Sequence, residues 1–156
     1  MNTKLFNLLI FTFILTSCSI NDNTVDEQLP QQREIYQWHL VNVSGGLSGV
    51  NIDYPMESII WVFSVDFNGN GSLLVENNNT NSSLEDGLNT GSYAISTLLG
   101  DSSTSFYLYI NDVEFGKGDR PSNTDLTIDQ NSLSTGTRAD GYVYTFKRKV
   151  ILVDIN

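Results

Sequence analysis

The side chains with reactive chemistry are few, so each can be weighed against its surroundings. Cys18 is the sole thiol and His39 the sole imidazole of the 156 residues. One imidazole cannot supply the histidine-rich ligand set of a catalytic zinc site, and one cysteine forms no intramolecular disulfide. No nucleophile elbow or Ser-x-x-Lys motif offers His39 a group to activate, and it reads as an outward side chain of the first strand. Paired carboxylates can hydrolyse glycosides when an acid and its partner stand roughly 5–10 Å apart. Glu85 with Asp86, Asp112 with Glu114, and Asp119 are the candidates, all in polar, loop-like sequence without an apolar pocket to raise a pKa. They read as solvated surface. Asp66-Phe67-Asn68-Gly69-Asn70-Gly71 matches the first half of a calcium loop, but Asn77 stands where the bidentate glutamate is needed, and both flanks are strand-like. A hairpin turn is expected there. Gly45-Gly46-Leu47-Ser48-Gly49 lacks the lysine and the strand-to-helix setting of a phosphate loop. The expectation is therefore no catalytic residue, no metal and no cofactor, with a hydrolase kept only as an alternative.

Cys18 takes its meaning from what precedes it. Lys4 is followed by Leu5–Leu15, an almost unbroken apolar run without charge. It is too short to span the roughly 30 Å hydrocarbon core, which takes about 20 residues, and fits the core of a removable secretory signal. Leu15-Thr16-Ser17-Cys18 then follows, an aliphatic residue and two small ones before the cysteine. This resembles the lipobox of bacterial lipoprotein precursors. The resemblance implies a diacylglyceryl group on the Cys18 thiol, cleavage before it and further acylation, such as palmitate, at the new amino terminus. At about 0.8 kcal/mol per buried CH₂, two or three chains anchor stably where one is marginal. The domains expected are a signal peptide over 1–17, the lipidated cysteine with a flexible tether over 18–33, and a folded domain over 34–156. The tether is polar and acidic and cannot bury enough apolar surface to fold alone. Ser19 after the cysteine favours the outer membrane over the inner one, with the face it occupies left open.

The formal net charge is −10, from 18 acidic against 8 basic residues. Such a surface repels phosphate backbones, and Lys147-Arg148-Lys149 is too short for a phosphate track. Nucleic-acid binding is not expected.

The positioning elements read as strands from Glu34 onward, with apolar residues at period two between clusters of Gly, Asn, Asp and Ser. Strands are predicted at Ile35–Val43, Ser58–Phe67, Ser72–Glu76, Gly91–Leu98, Ser105–Ile110, Asp125–Ile128, Ser132–Thr137 and Tyr142–Arg148, with Val113–Phe115 a further short one. Asn-Gly pairs at Asn68–Gly71 accept the positive φ of a tight turn. Eight or nine short antiparallel strands predict an all-β up-and-down barrel, with a β-sandwich as the alternative. The stretches 77–89 and Glu114–Thr124 read as long loops able to carry a partner surface.

Trp38-His39-Leu40, Gly45-Gly46, Ile60-Trp61-Val62-Phe63, Gly91-Ser92-Tyr93 and Asp140–Arg148 together resemble the lipocalin-like domains of small bacterial lipoproteins, over nearly all of Glu34–Lys149. Tyr36 stands where lipocalins carry a glycine two residues before the tryptophan. The resemblance implies that Trp38 packs under a basic residue of the last strand to close one end of the barrel. Arg148 is that residue here, and a guanidinium over an indole contributes about 0.5–2 kcal/mol. The loop at Gly45–Gly49 would then lie over the mouth as a lid.

The expected interior set is Trp38, Trp61, Phe63, Phe67, Tyr93, Phe106, Tyr144 and Phe146. Aromatic rings bury about 150–250 Å² each, and an eight-stranded barrel is only wide enough for its side chains or one small ligand. A filled interior and a non-enzymatic interaction or structural role at the envelope are the leading expectation. The alternative is a carrier of a small hydrophobic ligand lined by Trp61, Phe63, Tyr93, Phe106 and Phe146. Partners would be the membrane, through lipid on Cys18, and an envelope protein or hydrophobic ligand.

Overall fold

A computed structural model describes residues 31–81 and 85–155. The signal segment, Cys18 and the tether through residue 30 lie outside the described residues. Within them the chain forms strands and no helix: β1 (Gln31–Gly45), β2 (Val50–Asp53), β3 (Ile59–Val65), β4 (Asn70–Asn77), β5 (Gly91–Leu99), β6 (Ser105–Ile110), β7 (Val113–Asp119), β8 (Asp125–Asp129), β9 (Ser132–Leu133), β10 (Gly136–Thr137) and β11 (Tyr142–Ile155).

Eight of these strands close a barrel. β3 to β8 run as an antiparallel meander, β11 pairs with β8, and β1 completes the ring between β11 and β3. A closed ring leaves no strand edge exposed along its wall, so the barrel holds and the sandwich does not. β2 is an extra strand on the edge of β1 that β3 also uses, paired with Asn42–Gly45.

Alternation along the strands sends one row of side chains inward. Trp38, Leu40, Ile59, Trp61, Leu73, Val75, Leu108, Ile128, Tyr144 and Phe146 are all buried, forming one core. Two bulges alter the pattern. In β1 the register shifts between Leu40 and Asn42, so the inward row resumes at Val43. In β7, Leu108 faces Gly116 and Tyr109 faces Glu114, leaving Phe115 as the extra residue. Its ring packs 5.9 Å from that of Trp61. A bulge re-aims side chains in this way, which is why strict alternation did not single out Phe115.

Several expectations change. Phe67 is not in the interior: β3 stops at Val65 and Phe67 lies fully exposed in the turn. That turn is the predicted hairpin, with Asp66 Oδ1 accepting hydrogen bonds from the backbone N–H groups of Asn68 (2.8 Å) and Asn70 (3.0 Å) and Gly69 at φ +82°. Most of Glu114–Thr124 is strand β7 rather than a loop, because Gly116 and Gly118 interrupt its apolar alternation in the sequence. Ser132–Thr137 forms the small β9–β10 hairpin outside the barrel sheet. Gln31–Arg33, expected in the tether, belong to β1.

The first and last strands are also longer than predicted. Gln31–Gln37 pair only with Lys149–Ile155, so the two strands leave the barrel as a ribbon. Seven residue pairs give it a length of about 20–25 Å. Val150-Ile151-Leu152-Val153 supply the β-branched and aliphatic residues that favour extended backbone.

Candidate functional site

Strand direction sorts the connections to two ends of the barrel. The ribbon leaves from the end that carries the β3–β4, β5–β6 and β7–β8 turns, at 66–69, 100–104 and 120–124. The other end carries the connections at 46–49, 78–90, 111–112 and 130–141, while 54–58 joins β2 to β3 along the wall, both strands running antiparallel to β1.

That second end is stopped by the segment after β4. Tyr54 donates its hydroxyl hydrogen to the Glu85 carbonyl oxygen at 2.6 Å, and Tyr144 donates to Glu85 Oε1 at 2.8 Å. The Gly87 N–H also donates to Glu85 Oε1, at 3.1 Å. A methyl group built on Gly87 would sit 3.3 Å from the Tyr144 ring and 3.5 Å from the indole of Trp61, so this segment lies on the core itself. Burial, then the hydrogen bond to Glu85 and its negative charge, push the Tyr144 phenol well above its ordinary value. Glu85 is thus a half-buried plug residue and not the solvated surface group expected.

Beneath the plug the interior is filled. Trp61 is surrounded by the rings of Phe146 (4.9 Å between centroids), Phe115 (5.9 Å), Phe63 (6.1 Å) and Tyr144 (6.5 Å). Trp61 and Phe146 are therefore core residues without exposure. Trp61 Nε1 is buried with no hydrogen-bond partner among the described residues. Tyr93 packs against the core with its hydroxyl donating to the Asn89 carbonyl at 2.8 Å. It faces the plugged end.

The ribbon end is open. A cleft of about 650 Å³ enters there, with Trp38, Phe63, Phe106 and Leu126 as its apolar lining and Val65 and Leu99 on its rim. Small-molecule sites have volumes of roughly 300–1,000 Å³. Phe106 lies directly against Gly118 of β7, where an added Cβ would come within 2.3 Å of the ring. Ser105, Thr104, Ser122 and Arg120 give the cleft a polar side. Thr104 is fixed by donating to Asp119 Oδ1 at 2.8 Å and accepting from the Arg120 N–H at 3.0 Å through its carbonyl. The Arg120 guanidinium has no ion-pair partner among the described residues. No motif singles out Arg120, Val65 or Leu99, since their common property is position at one end of the barrel.

Trp38 and Arg148 face each other directly across the β1–β11 pair. The guanidinium lies over Tyr36, 4.9 Å from the ring centroid. The pair stands where the ribbon leaves the barrel, beside the open cleft. The Gly45–Gly49 loop, expected as a lid, is at the plugged end instead.

His39 points away from Trp38 and Leu40, toward the outside, yet it is wholly buried. The 54–58 connection covers it, and the Glu57 N–H donates to Nδ1 at 3.1 Å. That bond leaves the proton on Nε2, which is buried with no partner among the described residues. Burial first, and then the Lys149 ammonium, lower the His39 pKa against the opposing pull of Glu57. Lys149 and Glu57 form an ion pair over it. His39 thereby holds the 54–58 connection in position.

Among the described residues no group of His, Cys, Asp or Glu side chains is arranged to hold a metal. Comparisons with protein-family models, curated proteins and solved structures gave no match.

Proposed function

We propose that this protein is a lipid-anchored envelope lipoprotein of lipocalin-like type, non-enzymatic, whose barrel holds one small amphipathic molecule in the ribbon-end cleft. The cleft carries this reading. Its apolar walls suit an aliphatic or aromatic portion, and Arg120, without an ion-pair partner among the described residues, suits a polar or anionic head together with the Ser and Thr hydroxyls at one side. The anchor part of the reading is carried by Leu15-Thr16-Ser17-Cys18 following an apolar run, and Ser19 after the cysteine favours the outer membrane as location.

The packed interior around Trp61 favours a second reading, an interaction or structural module in which the cleft is only a surface feature. One measurement tests the shared anchor, and a ligand titration separates the two readings. Intact mass of the protein taken from an expressing bacterium's envelope reports acyl groups on Cys18. Trp61→Phe leaves Trp38, in the cleft wall, as the sole indole of the chain's two. Titrating that variant with long-chain fatty acids and lysophospholipids is expected to change its fluorescence saturably at one molecule per chain. A flat response, together with no lipid extracted from the purified protein, leaves the interaction module as the reading.

A further inference from the structure

We infer that the ribbon end of the barrel docks on a phospholipid surface, with Phe67 and Leu99 entering the interfacial layer and the cleft mouth facing the leaflet. The inference deepens the anchored-binder reading and names where that binder meets its source of ligand.

Apolar exposure is concentrated at this end. Phe67 and Leu99 are the most exposed, at 108% and 95%, and Leu99 shares the cleft rim with Val65. On the ribbon, Tyr36, Val150, Leu152 and Ile155 are also exposed. Away from the ribbon end, the exposed large apolar side chains among the described residues are the scattered Leu47, Met56, Leu74 and Val113. An apolar surface clustered in this way marks a partner or membrane contact.

Charge is divided along the same axis. Glu85, Asp86, Asp112, Glu114, Asp129 and Asp140 belong to the plugged end, with Arg138 as its cation. Set against Glu34, Asp66, Asp101, Asp119, Asp125 and Asp154, which leave it near neutral, the ribbon end holds the remaining six cations of the described residues. Three of them, Arg33, Arg120 and Arg148, have no carboxylate within ion-pair distance among those residues. Guanidinium groups match phosphate geometry and are more weakly hydrated than ammonium, and cations near an anionic leaflet each favour binding. The acidic end would be repelled by the same leaflet.

Chain connection agrees with this orientation. The described chain starts at Gln31 at the ribbon tip, and residues 19–30 separate it from Cys18. Fully extended, that segment reaches about 40 Å. Docking by the ribbon end needs little of this reach, whereas docking by the plugged end requires the connection to run back along the ribbon and barrel.

The test uses protein purified from the envelope and reconstituted in phosphatidylcholine–phosphatidylglycerol vesicles. A nitroxide is placed at Asn68→Cys, in the turn beside Phe67, or at Val113→Cys at the opposite end. The Asn68 label is expected to gain accessibility to oxygen and lose accessibility to a nickel chelate on the vesicles, while the Val113 label stays aqueous. Leu99→Asp, a change at an exposed site, is expected to return the Asn68 label towards water and to weaken docking about tenfold. If both labels stay equally aqueous on vesicle-bound protein, the docking proposal fails while the anchor stands. If intact mass shows a free Cys18 thiol, the anchor reading fails separately, and the same two labels placed in a Cys18→Ser background and mixed with vesicles still decide docking. If the Asn68 label is immobilised without vesicles and light scattering shows a dimer, a second copy covers this end and the proposal is overturned.

Discussion

Tyr144, in the last strand of the barrel, donates its hydroxyl hydrogen to Glu85 Oε1 at 2.8 Å, across 59 residues of sequence. The bond joins a buried core ring to the segment that stops one end of the barrel, so core and plug are one unit. Tyr144→Phe is expected to leave the barrel folded and to cost about 1.5–3 kcal/mol, the range for a hydrogen bond to a charged group. Urea denaturation measures it. The pH dependence carries the same signature. Burial raises the phenol's pKa in the fold above its ordinary value of 10.0, so the folded state keeps its proton longer than the unfolded chain. Stability should fall as pH rises above about 10, and Tyr144→Phe should flatten that decline.

His39 gives the opposite pH response on the acid side. Its folded pKa is lowered from 6.5, so the unfolded chain binds the proton first as pH falls. Stability is then lost progressively below about pH 6.5, and the Glu57 N–H loses its acceptor when Nδ1 is protonated. Denaturation midpoints across pH 7 to 5 should show this loss in the wild type. His39→Gln, which does not titrate, should lack it.

Asp125 provides a third window. Hydrogen bonds from Lys147, Ser122 and Thr124 lower its pKa from 3.8 to about 2. A depressed carboxylate contributes stability that is present above the unfolded value and is lost as pH falls through the folded one. Lys147→Met should therefore raise the Asp125 pKa towards its ordinary value and move that loss to higher pH. Carboxyl chemical shifts in an NMR titration report the value directly.

Gly118 lies against Phe106, in the cleft wall. A Cβ at Gly118 would lie 2.3 Å from that ring, so Gly118→Ala must displace it. The expected result is a change in ligand response at the cleft, with a stability cost of about 1–3 kcal/mol from overpacking. The Trp38 fluorescence titration compares both proteins. An unaltered titration would mean that Phe106 does not bound the occupied space.

Much of the barrel was legible because its strands alternate cleanly. Ser105–Ile110 was predicted with the limits it has, and Gly91–Leu98 is one residue short. Failures occurred where a local feature breaks the alternation. The β7 bulge at Phe115 and the glycines Gly116 and Gly118 disguised a strand as a loop. Phe67 fits the apolar period of β3, but the Asp66 turn ends the strand before it. His39 was correctly directed outward, yet its burial depends on the 54–58 connection folding over it. Such coverage leaves no periodic trace in β1.

The sequence by itself determined the strand-rich class, the hairpin at Asp66–Gly71, the acidic surface and the position of the lone cysteine after an apolar run. These follow from composition and from contacts between near neighbours. Only the tertiary structure decided which end is stopped and which is open. The plug depends on Glu85 meeting Tyr54 and Tyr144, and the cleft on Trp38, Phe63, Phe106 and Leu126 reaching one end from four strands. Ring closure brings those residues together, and period-two alternation records which face a side chain takes, not which neighbours the closed ring gives it.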